Sequence, residues 1–217
     1  MAYLARCTPL AKESARWAEG RMRLLMTSYL ADAVPPLEYT TSARCLVFKW
    51  DSVLVQRDVH STHILPGGRR EADETLEETL RRELLEETGW AVGSPILLGC
   101  VHFHHLTPRP AGYAYPYPDF VQVVYTAEAA AYLPDALVDD GNEVESAFRP
   151  VAEVRQLALA AGQRLFLDAA LSRSLTSTRA SKTRCTADRV APPDDVRRGG
   201  RRSGRARDEQ PLPEASP

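Results

Sequence analysis

Three carboxylates, Glu83, Glu86 and Glu87, stand at i, i+3 and i+4 within the stretch GRREADETLEETLRRELLEETGW, residues 68–90. On a helix this spacing places them on one arc. The arc falls in the last turn, where the helix dipole disfavours anions and like charges three and four apart repel. Such a cluster is locally unfavourable unless something positive occupies it. A hard divalent cation is the candidate, because Mg²⁺ takes one or two carboxylates together with water and substrate phosphate. The same run also reads as a solvated acidic helix face.

The surrounding residues set up the helix that would present these groups. Asp73 is placed as an N-cap, Glu74 falls in the first turn and Gly89 suits the closing left-handed position. The helix between them has about four turns. Leu76, Leu80 and Leu84 repeat every four residues and form one apolar stripe. Glu77 with Arg81 and Glu78 with Arg82 have the spacing and order of stabilising ion pairs. Ahead of the helix, Leu65-Pro66-Gly67-Gly68 is a tight loop whose glycines permit positive φ and close approach of a ligand. Arg57 and Arg69 are candidate phosphate contacts that also read as surface residues.

The stretch resembles the Nudix box, Gly-x5-Glu-x7-Arg-Glu-U-x-Glu-Glu-x-Gly-U, where U is bulky and apolar. Gly68, Glu74, Arg82, Glu83, Leu84, Glu86, Glu87, Gly89 and Trp90 fill its fixed positions at the right spacing. His63 is one departure, standing where many members carry Trp upstream of Leu-Pro-Gly-Gly. The resemblance implies an α+β (α/β) Nudix fold, a mixed β-sheet sandwiched between α-helices. It implies Mg²⁺-dependent hydrolysis, with Mn²⁺ as a substitute, of the pyrophosphate linkage in a nucleoside diphosphate joined to another moiety. Nucleoside triphosphates, nucleotide sugars and dinucleotides all remain open as substrates. The alternative is a non-catalytic Nudix-fold nucleotide-binding regulator, although such modules commonly lose box glutamates and this chain keeps them.

By the same resemblance Glu83, Glu86 and Glu87 are the metal ligands. Glu86, Glu83 or a Glu outside the box accepts the proton of water, and Arg82 fixes the glutamates by charge-assisted hydrogen bonds. Glu74 supports the loop–helix geometry. Arg57, Gly67, Gly68 and Arg69 make up the substrate-binding set. A further carboxylate from a loop after the box is expected, with Glu143 the first candidate and Glu145 the second.

Strands are expected at 44–50, 53–57, 62–65, 94–106, 120–127 and 144–148, and helices at 151–160 and 162–171. Residues 41–172 form the expected Nudix domain. In residues 1–40, Ala15, Ala18, Met22, Leu25 and Tyr29 are spaced by three and four, which predicts a helical extension from about Pro9 to Ala33. Its stripe would pack on its own domain or on a partner helix in a homodimer. His102, His104 and Cys100 share a strand face. We read it as a polar face, because no acidic residue stands nearby to orient the imidazoles. Tyr113, Tyr115 and Tyr117 lie in a Pro/Tyr-rich loop and could stack on a base or cover the sheet.

Of the 217 residues, 44% are hydrophobic, enough for a core, and the net charge of −2 argues against bulk nucleic-acid binding. The four cysteines are scattered without a CxxC pair, which excludes a zinc or disulfide framework as the organising device. No apolar run is long enough for a membrane span, and charges interrupt the N-terminal segment, so a soluble cytoplasmic protein is expected. Residues 173–217 carry eleven Lys/Arg against six Asp/Glu and few large apolar side chains. They read as a disordered tail that could touch nucleic acid.

Overall fold

Two helical layers and the sheet between them follow from how the strands alternate. The computed structural model describes residues 2–17, 20–58, 61–138 and 143–173, without the side chains of Glu143 and Val144. Residues 139–142 and the tail beyond Arg173 lie outside the described residues.

The strands are β1 (Thr8–Trp17), β2 (Met22–Leu30), β3 (Thr40–Lys49), β4 (Ser52–Asp58), β5 (Thr62–His63), β6 (Gly67–Arg69), β7 (Trp90–Val92), β8 (Ile96–His105), β9 (Asp119–Tyr132) and β10 (Glu143–Pro150). They line up in the order β1-β2-β8-β9-β3-β4-β10, with β5 on β4, β6 on β3 and β7 on β9. The β3–β9 pair is parallel and the other pairs are antiparallel, so the sheet is mixed.

Side chains alternate across β3. Ala43, Cys45 and Val47 face α1 (Leu76–Thr88), whose Leu76, Leu80 and Leu84 are buried against them, Leu54, Val123 and Tyr125. Burying each leucine contributes roughly 1.5–3 kcal/mol. Leu46 and Phe48 face the other way, onto Val154 of α2 (Val151–Val154) and Phe166, Leu167 and Ala170 of α3, residues 161–173. The fold is α+β, a mixed sheet between α1 on one side and α2 and α3 on the other. No helix among the described residues is long and apolar enough to cross a membrane.

Several local expectations are corrected. The stretch read as a helix from Pro9 to Ala33 is the β1–β2 hairpin, closed at Trp17–Met22, with Gly20 at φ +83° donating its N–H to the Trp17 carbonyl. Spacing by three and four competed with spacing by two: Leu24, Met26 and Leu30 all pack into the core beneath α3. Pairing of β2 with β8 supplies backbone partners that an isolated helix would have supplied itself, and tertiary context overrides the helical pattern. The helical stripe expected to pack on its own domain or on a partner helix is therefore not formed. In α1 the N-cap is Thr75, not Asp73. Its hydroxyl accepts from the Glu78 N–H while the Glu78 carboxylate returns to Thr75, a reciprocal capping box that takes Glu78 away from Arg82. The helix read at 151–160 stops at Val154. The short β7, set against β9, was not anticipated.

Candidate active site

The loop–helix unit is built from neighbours in sequence. β6 pairs with β3 so that Gly67 lies opposite Arg44 and Gly68 opposite Ala43. Gly67 has φ +125°, and a Cβ there would sit 2.4 Å from the Ala43 carbonyl oxygen. Its N–H donates to Glu87 Oε2 at 2.8 Å. At Gly68 a Cβ would meet Glu83 Oε2 at 2.1 Å, so the Glu83 carboxylate lies directly over the glycine backbone. The two glycines thus have separate tasks: one lets the strand approach β3, the other leaves room for a carboxylate. Gly89, at φ +70°, closes α1.

Arg82 gathers the acidic groups. Its guanidinium carries five N–H donors. Nε and Nη2 grip Glu74 at 2.6 and 2.9 Å, Nη1 reaches Glu83 and Glu86 at 3.0 Å each, and Nη2 also donates to the Arg69 carbonyl at 3.1 Å. Every donor is engaged, so a point charge such as Lys could not reproduce the arrangement. Hydrogen bonds from Arg82 hold the Glu74 carboxyl at about 2, far below the usual range. The same bonds, led by those to Glu74, push the Arg82 guanidinium pKa further up. Glu87 behaves oppositely. Burial raises its pKa, against the Gly67 N–H and the Arg44 charge, which pull it down.

On the α3 side of the sheet lies a cavity of about 500 Å³. Arg44 and Arg69 stand at its wall beside β6, and Ser42 and Gln122, paired in register across β3 and β9, project from its floor. Phe103 and Phe120 stack at 4.7 Å, with Trp17 of β1 tilted against them at 5.2 and 6.1 Å. Tyr113 and Tyr115 also line it, and the Arg69 guanidinium lies over the Tyr115 ring, 4.6 Å from its centre. The box and the cavity share β6: Arg69 lines the cavity while its carbonyl binds Arg82, and Arg44 lines the cavity while its charge acts on Glu87.

The structure therefore brings Arg82, Glu83, Glu86, Glu87, Gly67 and Gly68 together, with Arg69 on the adjoining cavity wall. Arg57 is elsewhere. It is paired with Glu145 across β4 and β10 at 3.4 Å, both about half exposed, and does not line the cavity. Glu145 also pairs with Arg149 at 3.6 Å. The side chain of Glu143 lies outside the described residues. Tyr117 points its hydroxyl to the Thr107 carbonyl rather than into the cavity. Sequence reasoning missed Arg44, Ser42, Gln122 and Trp17. Alternation along β3 and β9 could have found the first three, whereas Trp17 was hidden by the helix assignment.

The statement that His102 and His104 lack an acidic neighbour is corrected. Asp119 Oδ1 lies 2.7 Å from His102 Nε2 and 2.8 Å from His104 Nδ1. Asp119 opens β9, fifteen residues after His104, so pairing in space rather than in sequence brings it there. Burial raises the Asp119 pKa, but the two histidine bonds outweigh it and hold the carboxyl below its usual range.

Among the described residues no three His, Cys, Asp or Glu side chains converge as a ready-made ligand group. The donor chemistry nevertheless fits Mg²⁺. Glu83 and Glu86 are drawn to one Nη1 of Arg82, their oxygens are hard donors, and Mg²⁺ needs only one or two protein carboxylates.

Residues 38–170 match the NUDIX domain family model. The chain belongs to the Nudix hydrolase family, whose members are pyrophosphohydrolases acting on phosphorus-containing anhydrides and generally need a divalent metal, usually Mg²⁺. A search of curated proteins finds no match. Among solved structures, the chain is similar to a NUDIX hydrolase from Nitrosomonas europaea, with 17% identity over 62% of this chain and 88% of that one, at a TM-score of 0.48. It is similar to a MutT NUDIX hydrolase from Burkholderia pseudomallei, with 18% identity over 59% and 96% of the two chains, at 0.45. A pyrophosphohydrolase from Bacillus subtilis gives 18% identity over 78% and 97%, at 0.48.

Proposed function

We propose that this protein hydrolyses the pyrophosphate linkage of a nucleoside diphosphate joined to another moiety, with Mg²⁺ held by Glu83, Glu86 and Glu87. The observation that carries the reading is the Arg82 hub, which draws Glu83 and Glu86 to one nitrogen beside the Gly67–Gly68 strand. A diphosphate repels an approaching nucleophile. A bound Mg²⁺ supplies offsetting positive charge and polarises the phosphoryl oxygens.

The chain's own residues do the rest. Glu86, whose side chain is 39% exposed against 15% for Glu83, accepts the proton of the attacking water. The water oxygen bonds to phosphorus, the anhydride P–O bond breaks, and its electron pair leaves on the departing phosphate. Arg82 keeps Glu83 and Glu86 in place throughout, and Glu74 keeps Arg82 in place. Arg44 and Arg69 offer cationic partners for phosphate on the cavity side.

The test is release of phosphate or pyrophosphate from nucleoside triphosphates, nucleotide sugars and dinucleotides, with Mg²⁺, with Mn²⁺ and with chelator. Metal-dependent cleavage of one class names the substrate. Tight metal-dependent nucleotide binding without cleavage across the panel would replace the enzyme with a binding regulator.

A further inference from the structure

We propose that the N-terminal hairpin is a substrate-specificity element, and that with β3, β8 and β9 it makes the 500 Å³ cavity a recognition site for a planar heteroaromatic base. The proposal rests on the hydrolase reading only for what happens to the rest of the ligand. The hairpin precedes the family match at 38–170.

Four observations meet here. First, the hairpin is latched over the cavity. Glu13 of β1 accepts hydrogen bonds from the Ala161 and Gly162 N–H groups, both at 2.9 Å, at the start of α3. This joins residues about 150 apart in sequence and caps a helix N-terminus with a carboxylate. Gly162 permits the contact, since a Cβ there would fall 2.2 Å from Ser28 Oγ of β2.

Second, the hairpin brings Trp17 against the stacked Phe103–Phe120 pair, with Met22 and Met26 beside it. Trp17 remains 39% exposed, so part of its ring is still available to a ligand. Aromatic faces and adaptable thioethers suit a flat π-system. Third, the floor carries polar groups that discriminate. The Ser42 hydroxyl is buried, with the residue 1% exposed, and has no hydrogen-bond partner among the described residues. Buried hydroxyls are ordinarily satisfied, and this one lines the cavity. Gln122 lies opposite it in register and offers both donor and acceptor to a base edge. Fourth, the cationic side of the cavity, Arg44 and Arg69, adjoins β6 and the box. A ligand with its base against Trp17 would therefore direct its phosphates toward Glu83 and Glu86.

The experiment measures equilibrium binding in the presence of chelator, so turnover plays no part. The probes are AMP, GMP, CMP and UMP, with ribose 5-phosphate as the probe lacking a base. Wild type should bind at least one nucleotide ten-fold or more tighter than ribose 5-phosphate. Trp17→Ala should abolish that difference, Trp17→Phe should keep most of it, and Trp50→Ala should leave it unchanged, because Trp50 is 87% exposed and outside the cavity. Thermal melting of each variant separates loss of the wall from loss of the fold, and Trp17→Phe retains an aromatic ring if Trp17→Ala unfolds.

An equal affinity for ribose 5-phosphate, no nucleotide binding at all, or an unaltered base preference in Trp17→Ala would each overturn the proposal. Binding that depends on Trp17 without any cleavage in Mg²⁺ would uphold the recognition site and defeat the hydrolase reading. Cleavage with a preference indifferent to Trp17 would do the reverse.

Discussion

The two sides of the sheet are assembled in opposite ways. On the α1 side, everything from Leu65 to Trp90 is one continuous stretch, and Arg82 spends all five donors on groups within it. On the α3 side, the cavity draws on β1, β2, β3, β8, β9, a loop and α3, and it leaves the buried Ser42 hydroxyl without a partner. The Arg82 hub on the first side is a saturated local network, suited to holding carboxylates still. The second is a non-local surface with hydrogen-bonding capacity to spare, suited to meeting a ligand. On the proposed reading, chemistry and recognition divide between two regions that touch along β6.

The sharpest way to test the division is Glu86→Gln. If the α1 side performs the chemistry, turnover should fall about 10²–10⁴-fold, the range for a lost acid–base group. The factor should be the same for every substrate, with the melting temperature nearly unchanged because Glu86 is partly exposed. Steady-state kinetics on two substrates checks it. A loss that differs strongly between substrates, or no loss, would break the comparison.

The adjacent glycines sharpen it further. Gly68→Ala places a Cβ against the Glu83 carboxylate, the movable end of a side chain. The fold should tolerate it, while a displaced carboxylate should cost about 10²-fold in activity, as misplacement near 1 Å can. Gly67→Ala places a Cβ 2.4 Å from the Ala43 carbonyl at φ +125°. Neither backbone yields easily, and the conformation alone costs about 1–3 kcal/mol for a residue with a side chain. Gly67→Ala should therefore lower the melting temperature markedly and Gly68→Ala should not. Equal effects on stability would mean that the two positions do not have separate tasks.

The same contrast explains what was legible in the sequence. The box helix, its leucine stripe, the Gly89 close and the arc of three glutamates depend on residues a few positions apart, so pattern alone places them. The strands of β3, β4, β8 and β9 were legible from runs of β-branched and apolar residues. The hairpin was not. Ala15, Met22, Leu25 and Tyr29 satisfy a helical spacing as well as Leu24, Met26 and Leu30 satisfy a strand, and β8, the partner that decides between them, lies about seventy residues away. Thr75 won the N-cap over Asp73 because Glu78 completes a reciprocal pair with it, a difference of two residues that composition does not resolve. Asp119 escaped notice beside His102 and His104 for the reason Trp17 did: strand pairing makes the contact.

A smaller effect should come from Glu87→Gln, read as stability of the metal-free protein against pH with chelator present. Burial raises the Glu87 pKa, opposed by the Gly67 N–H, Arg44 and Gln56, while Glu83 adds to the rise. A carboxyl whose folded pKa lies above its unfolded value favours folding when protonated. That contribution is full below the unfolded pKa and is lost as pH rises through the folded one. Glutamine is neutral at every pH and can still accept from the Gly67 N–H. The variant should therefore melt at or above wild type at neutral pH, and the gap should close as pH falls below the ordinary carboxylate range. A variant less stable at neutral pH than at acid pH, relative to wild type, would place the buried charge elsewhere.

The smallest effect is expected at Arg57, which belongs to neither side of the comparison. It reads in sequence like a phosphate ligand, a cation on a strand leading into the glycine loop. In the fold its guanidinium meets Glu145 at 3.4 Å with both side chains about half exposed. Exposed pairs of this kind contribute about 0–1 kcal/mol, and screening by salt reduces them further. Arg57→Ala should leave turnover and KM within about two-fold of wild type, a change under the ~1.4 kcal/mol that separates tenfold effects. Arg69→Ala should raise KM instead, because Arg69 lines the cavity, lies over Tyr115 and borders the box. Measured side by side, the two arginines test whether cavity membership or mere proximity in sequence to the glycine loop decides which cation meets the substrate. An Arg57→Ala variant with a large rise in KM would extend the recognition surface across β4 and erase the boundary drawn here.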